Sequence, residues 1–110
     1  MYLPKLMKSA AVDCFGPPSV IKIHELPVPQ PGSDEILIRV ETAGIGSWDT
    51  SMRDGSWRRP GRTTFPLVLG ADGAGVVVAK GSRASGFQIG DRVYAYEFGN
   101  PKGGFYAEWR

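Results

Sequence analysis

The chain holds little of what metal or disulfide chemistry needs. Its 110 residues include one cysteine, Cys14, and one histidine, His24. A lone cysteine excludes an internal disulfide and any cysteine-cluster zinc site, and it fits a reducing, cytosolic setting. No apolar run approaches the ~20 residues of a membrane span, and the N-terminus lacks a signal-peptide core. Neither sign of charge dominates. Thirteen basic and eleven acidic residues leave +2, too little to imply a nucleic-acid or membrane partner. Internal repeats, low-complexity tracts and long amphipathic helices are missing as well.

What is present points to short strands. Fifteen glycines and nine prolines interrupt regular structure often, while 42% hydrophobic and 22% charged residues suit a globular core. Met7 to Gly16 reads as a strand running into a Gly-Pro-Pro turn, with Cys14 as a small buried hydrophobe. Val20 to Pro29 begins as a strand holding His24, and Pro27, Pro29 and Pro31 then force an extended segment. Glu35 to Ile45 gives the clearest period of two. Ile36, Ile38 and Val40 share one face, with Leu37, Arg39 and Glu41 on the other. Further strands are expected over Ala74–Gly81, Asp91–Glu97 and Gly103–Arg110. Tyr94, Tyr96 and Phe98 alternate along one face and are expected in the core. One helix of about two turns fits Gly46 to Trp57, with Ser47 as its cap and Gly55 as its stop. The pattern predicts an all-β barrel or sandwich with one helical turn inserted.

Gly70, Gly73 and Gly75 invite comparison with a phosphate-binding loop. A dinucleotide fingerprint follows a strand and opens a helix, whose amides face the pyrophosphate. Here the glycines lead into Val76, Val77 and Val78, a β-branched run that favours a strand. The turn is therefore read as structural.

Several blocks in fixed order carry a resemblance: "LPVPQPGSDEILIRVETAGI" (Leu26 to Ile45), "GSWDTSMRDG", "PLVLGADGAGVVVAKGS", "FQIGDRVYAY" and "GGFYAEW". Together they resemble the N-terminal, GroES-like catalytic domain of the medium-chain dehydrogenase/reductase superfamily. That superfamily includes zinc alcohol dehydrogenases and zinc-free quinone oxidoreductases. The resemblance implies a partly open GroES-like β-barrel. It also implies that residues 1–110 are a truncated chain whose Rossmann cofactor domain is absent, not expected to turn over alone.

In zinc members the resemblance places a metal-binding Cys at the position of Gly46 and a His-Glu pair at Ala71 and Asp72. Glycine and alanine carry no donor, so no catalytic zinc is expected. The proton-relay hydroxyl of zinc members falls at Trp48 and does not carry over. The segment Gly46, Ser47, Trp48, Asp49 matches the part that lies against the nicotinamide end of NADP(H), which the absent domain would bind in the main. Ser47 or Thr50 is then a hydrogen-bond donor, or Ser47 is only a helix cap. Asp49 is an anchor of the helix start or an acid–base group. Trp48 is either an apolar wall of the substrate site or a core residue, and Trp57 matches an aromatic beside the substrate cleft. Arg58, Arg59 and Arg62 read as a solvated loop, with a cofactor phosphate as the alternative partner. The implied substrate is a small carbonyl, enone or quinone, in a cytoplasmic protein for which a homodimer is allowed. The rival reading is a free-standing GroES-like barrel serving as a non-enzymatic binding or assembly module.

Overall fold

The alternating stretches pair as the sequence pattern implies. The structure, a computed structural model, describes residues 3–57, 63–97 and 103–110. Its strands are β1 (Leu6–Val12), β2 (Ile21–Pro27), β3 (Ile36–Ala43), β4 (Leu67–Val68), β5 (Asp72–Lys80) and β6 (Arg92–Tyr96). One helix, α1 (Ser47–Asp54), follows β3, and Gly55 ends it in the left-handed region at φ 84°. The strands form two antiparallel sheets in the orders β2-β1-β4 and β3-β5-β6. In the first, Met7 faces Leu26 and Val12 faces both Ile21 and Leu67. In the second, Ala43 faces Gly73 and Ala74 faces Tyr94.

The last residues join the two sheets. On one side Ala10 donates its N–H to the Tyr106 carbonyl at 2.7 Å, and Glu108 donates to Lys8 at 3.2 Å. On the other, Val40 donates to the Glu108 carbonyl at 2.8 Å, while Ile38 and Arg110 exchange two bonds of 2.9 Å. Residues 106–110 thus satisfy backbone groups on both sheets. The result is an all-β, partly open GroES-like barrel with one α-helix among the described residues, in line with the sequence reading.

Two apolar clusters fill it. Met7, Val28, Leu37 and Val78 form one, and Val12, Met52, Leu67 and Leu69 form the other. β1 reaches both, and Met52 presses α1 onto the second.

Four expectations from the sequence are corrected. The strand expected over Gly103–Arg110 does not form as one element; it makes isolated bridges, Ala107 to Ser9 and Trp109 to Arg39, one to each sheet. Leu37, assigned to the polar face of its strand, is buried beside Ile38. Val28 and Met7 cover its side of the sheet, and a register shift between Leu37 and Ile38 leaves Val78 as an extra residue on β5. Tyr94 and Tyr96 are not core residues. They are 90% and 74% exposed, because β6 is an edge strand that turns them into open space. Phe98, grouped with them, lies outside the described residues. Cys14 is exposed, beyond the end of β1 instead of within it.

Candidate active site

The start of α1 organises the site. Gly46 is the N-cap, and Ser47 is the first helical residue, so the expected cap at Ser47 shifts by one position. The capping acceptor comes from Asp49, whose Oδ2 accepts the Gly46 N–H at 2.9 Å. A carboxylate in the first turn also suits the positive end of the helix dipole.

Asp49 is only 5% exposed, and a buried carboxylate needs donors. Its Oδ1 accepts the N–H of Gly70 at 3.1 Å. The Tyr106 hydroxyl lies 3.3 Å from Asp49 Oδ2 and 3.3 Å from the Gly44 carbonyl oxygen. One phenolic proton therefore serves two acceptors. Burial first, then the negative charge of Asp49 and its hydrogen bond, and lastly Asp72, push the Tyr106 hydroxyl up to about 12.

Gly70 sits at φ 99°, a conformation that favours glycine. A Cβ there would meet the Tyr106 ring at 2.6 Å and the Tyr106 backbone nitrogen at 2.8 Å. The Phe105 N–H donates to the Gly70 carbonyl at 2.8 Å, which fixes the approach. Gly73 and Gly75 belong to β5 itself. The glycine-rich turn therefore feeds a strand and packs closely, and it opens no helix.

Beside this network lies a cleft of about 430 Å³ whose lining includes Trp48, Ala71, Asp72, Gly73, Tyr94 and Tyr96. The Trp48 ring lies over Gly46 so closely that a Cβ at that position would overlap it. Trp48 remains 42% exposed, a wall and not a core residue. The Asp72 carboxylate rests against Gly44 in the same way, and the Gly44 N–H donates to the Asp72 carbonyl at 3.0 Å. Among the described residues no lysine or arginine lines the cleft. It offers aromatic faces, close-lying backbone and one carboxylate.

The sequence-derived candidates are only partly brought together. Gly46, Trp48, Ala71 and Asp72 meet here. Ser47 is exposed on the first turn of α1 and does not line the cleft. Trp57 stands beyond the far end of α1, where its backbone N–H donates to the Ser51 carbonyl at 3.1 Å. Arg58, Arg59 and Arg62 lie outside the described residues. His24 is on β2, with Nε2 3.4 Å from Asp13.

A tetrahedral zinc site needs three or four donors. Gly46 and Ala71 supply none, and no group of three His, Cys, Asp or Glu side chains lies together among the described residues. These residues do not fit a catalytic zinc. Sequence reasoning missed Tyr106, which looks like one more aromatic of a strand. Its spacing carries no signal, because its partners lie 57 and 62 positions away.

Comparison with known proteins agrees with this fold. Residues 32–108 match the family described as "Alcohol dehydrogenase GroES-like domain". A quinone oxidoreductase of Mus musculus is 36% identical over 106 residues, covering 96% of this chain and 30% of that protein. An alcohol dehydrogenase of Schizosaccharomyces pombe is 37% identical over 93 residues, covering 84% of this chain and 26% of that protein. The structure of Escherichia coli quinone oxidoreductase complexed with NADPH superposes with a TM-score of 0.82 at 27% identity, over 94% of this chain and 30% of that one. The chain thus spans about a third or less of the proteins it resembles.

Proposed function

The chain belongs to the alcohol dehydrogenase GroES-like domain family, and from that premise we propose that it is the substrate-side domain of a zinc-independent, NAD(P)H-dependent reductase of the quinone-oxidoreductase type. The observation that carries the reading is the cleft. Trp48, Tyr94 and Tyr96 give it aromatic faces suited to a flat, conjugated carbonyl or quinone. Glycine and alanine stand where zinc members of the family place metal donors.

The same cleft is assigned to the nicotinamide end of a cofactor, whose flat ring suits the Trp48 face. Among the described residues no cationic side chain lines it to meet the phosphates. Cofactor binding is therefore assigned chiefly to a dinucleotide-binding portion outside residues 1–110. When bound, the nicotinamide supplies hydride. The remaining tasks fall to the protein. Trp48 and the tyrosines orient the substrate and keep water away. Negative charge developing on the substrate oxygen needs a donor, and Ser47, exposed on α1 outside the lining, is assigned that role for an oxygen that projects past the Trp48 ring. Asp49 is assigned to holding the helix start in place. Trp57 is kept as a contact for the outer part of the substrate. A cytoplasmic location and a homodimer belong to the same proposal.

The test is NADPH consumption by the protein expressed from its natural reading frame, with a quinone and with a simple enone, in the presence and absence of a zinc chelator. Turnover unaffected by the chelator is expected. Loss of activity on chelation, or oxidation of simple alcohols without quinone reduction, would overturn the reading.

A further inference from the structure

One half-buried polar group close to the cleft does not line it. Tyr106 lies behind the cleft wall, and its hydroxyl is shared between the Gly44 carbonyl and Asp49. Gly44 precedes the Gly46–Trp48 wall and abuts Asp72 on the other wall. Asp49 holds Gly46 through one oxygen and Gly70 through the other. The Tyr106 backbone belongs to the closing segment, with its carbonyl accepting from Ala10 and its N–H donating to Leu69 at 2.9 Å. One side chain therefore links the closing segment to both walls.

We propose that Tyr106 is a positioning residue for the Trp48–Asp72 cleft, setting the place of the Trp48 ring through Asp49 and Gly44. The ring has little room to adjust independently. It lies against the Gly46 backbone, and that backbone is held by Asp49. Removing the hydroxyl removes a donor from two acceptors, and the Gly44–Gly46 strand end then shifts relative to β5. A packed ring responds to such a shift by moving as a whole. The consequence for catalysis rests on the functional reading above; the geometric claim does not.

The experiment replaces tryptophan with 5-fluorotryptophan in the 110-residue chain and follows the three resonances of Trp48, Trp57 and Trp109 by fluorine NMR. The variant is Tyr106→Phe, which keeps the ring that packs on Gly70. The Trp48 resonance is expected to shift or broaden while Trp57 stays in place. An unmoved Trp48 resonance in a variant with unchanged circular dichroism overturns the proposal. Should Tyr106→Phe fail to fold, Asp49→Asn is read in the same way. The unaltered chain gives a second answer. Its Trp48 resonance should move as the Tyr106 hydroxyl ionises when pH rises toward 12, a step that Tyr106→Phe lacks, and a Trp48 signal that behaves alike in both chains counts against the proposal. Neither readout requires turnover. A moved Trp48 in a protein that reduces no quinone leaves the positioning role standing and removes the enzyme reading.

Discussion

Asp49 accepts the backbone N–H of Gly70 at 3.1 Å across 21 positions of sequence, and this bond ties the first turn of α1 to the turn that opens β5. Because the same carboxylate also serves Gly46 and Tyr106, its removal orphans the Gly46 and Gly70 N–H groups and leaves the Tyr106 hydroxyl with the Gly44 carbonyl alone. Asp49→Ala should therefore destabilise the chain by about 3 kcal/mol, at roughly 1–3 kcal/mol for each group left badly unsatisfied and with partial relief by water. Asp49→Asn should cost less, since one oxygen is kept. Urea unfolding followed by circular dichroism measures both, and equal losses for the two variants would contradict this account.

Tyr106 supplies a pH signature. Its hydroxyl titrates near 12 in the folded chain against an ordinary 10.0. Folding favours the protonated form, so this contribution is complete below pH 10 and declines as pH rises toward 12. Stability measured across that window should fall more gently in Tyr106→Phe than in the parent. Parallel slopes would show that the hydroxyl is not the group involved.

Gly46→Ala tests the Trp48 wall. The backbone there, at φ −119°, is open to any residue, so any cost arises from the added methyl meeting the indole. Such overpacking typically costs about 1–3 kcal/mol. Trp48→Ala should suppress that cost in a double-mutant cycle. Additive losses in thermal unfolding would mean that the two residues do not oppose each other.

Leu37 separates the alternation seen in the sequence from the packing found in the structure. Fully buried among Met7, Val28 and Val78, it should cost about 2–5 kcal/mol when cut to alanine. Arg39→Ala, at an exposed position of the same strand, should stay within about 0.5 kcal/mol. Denaturant midpoints for the pair decide the matter.

In a preparation that turns over NADPH, Trp48→Ala should raise KM for a quinone by about tenfold, corresponding to the ~1.4 kcal/mol that a lost aromatic contact is worth. A change confined to kcat would instead place the ring's role in the reacting step.

The sequence by itself determined the five longer strands, the helix and the reading of the glycine turn, though not the two-residue β4 or the broken pairing of Gly103–Arg110. These rest on local physics: period-two alternation in β3, Gly55 as a left-handed helix stop, and a valine run after Gly75 that suits a strand. It also determined that residues 46 and 71 offer no metal donor, because a side chain's chemistry needs no fold to be known. Tertiary structure alone decided what each face meets. Leu37 is buried because Val28 crosses over it, and Tyr94 and Tyr96 are exposed because β6 is an edge. Cys14 lies past the end of its strand. The grouping of Gly44, Asp49, Gly70 and Tyr106 was invisible for a related reason. Hydrogen bonds reaching across dozens of positions leave no period in the chain, and only the folding of β1, α1, β5 and the closing segment onto one another brings their atoms within reach.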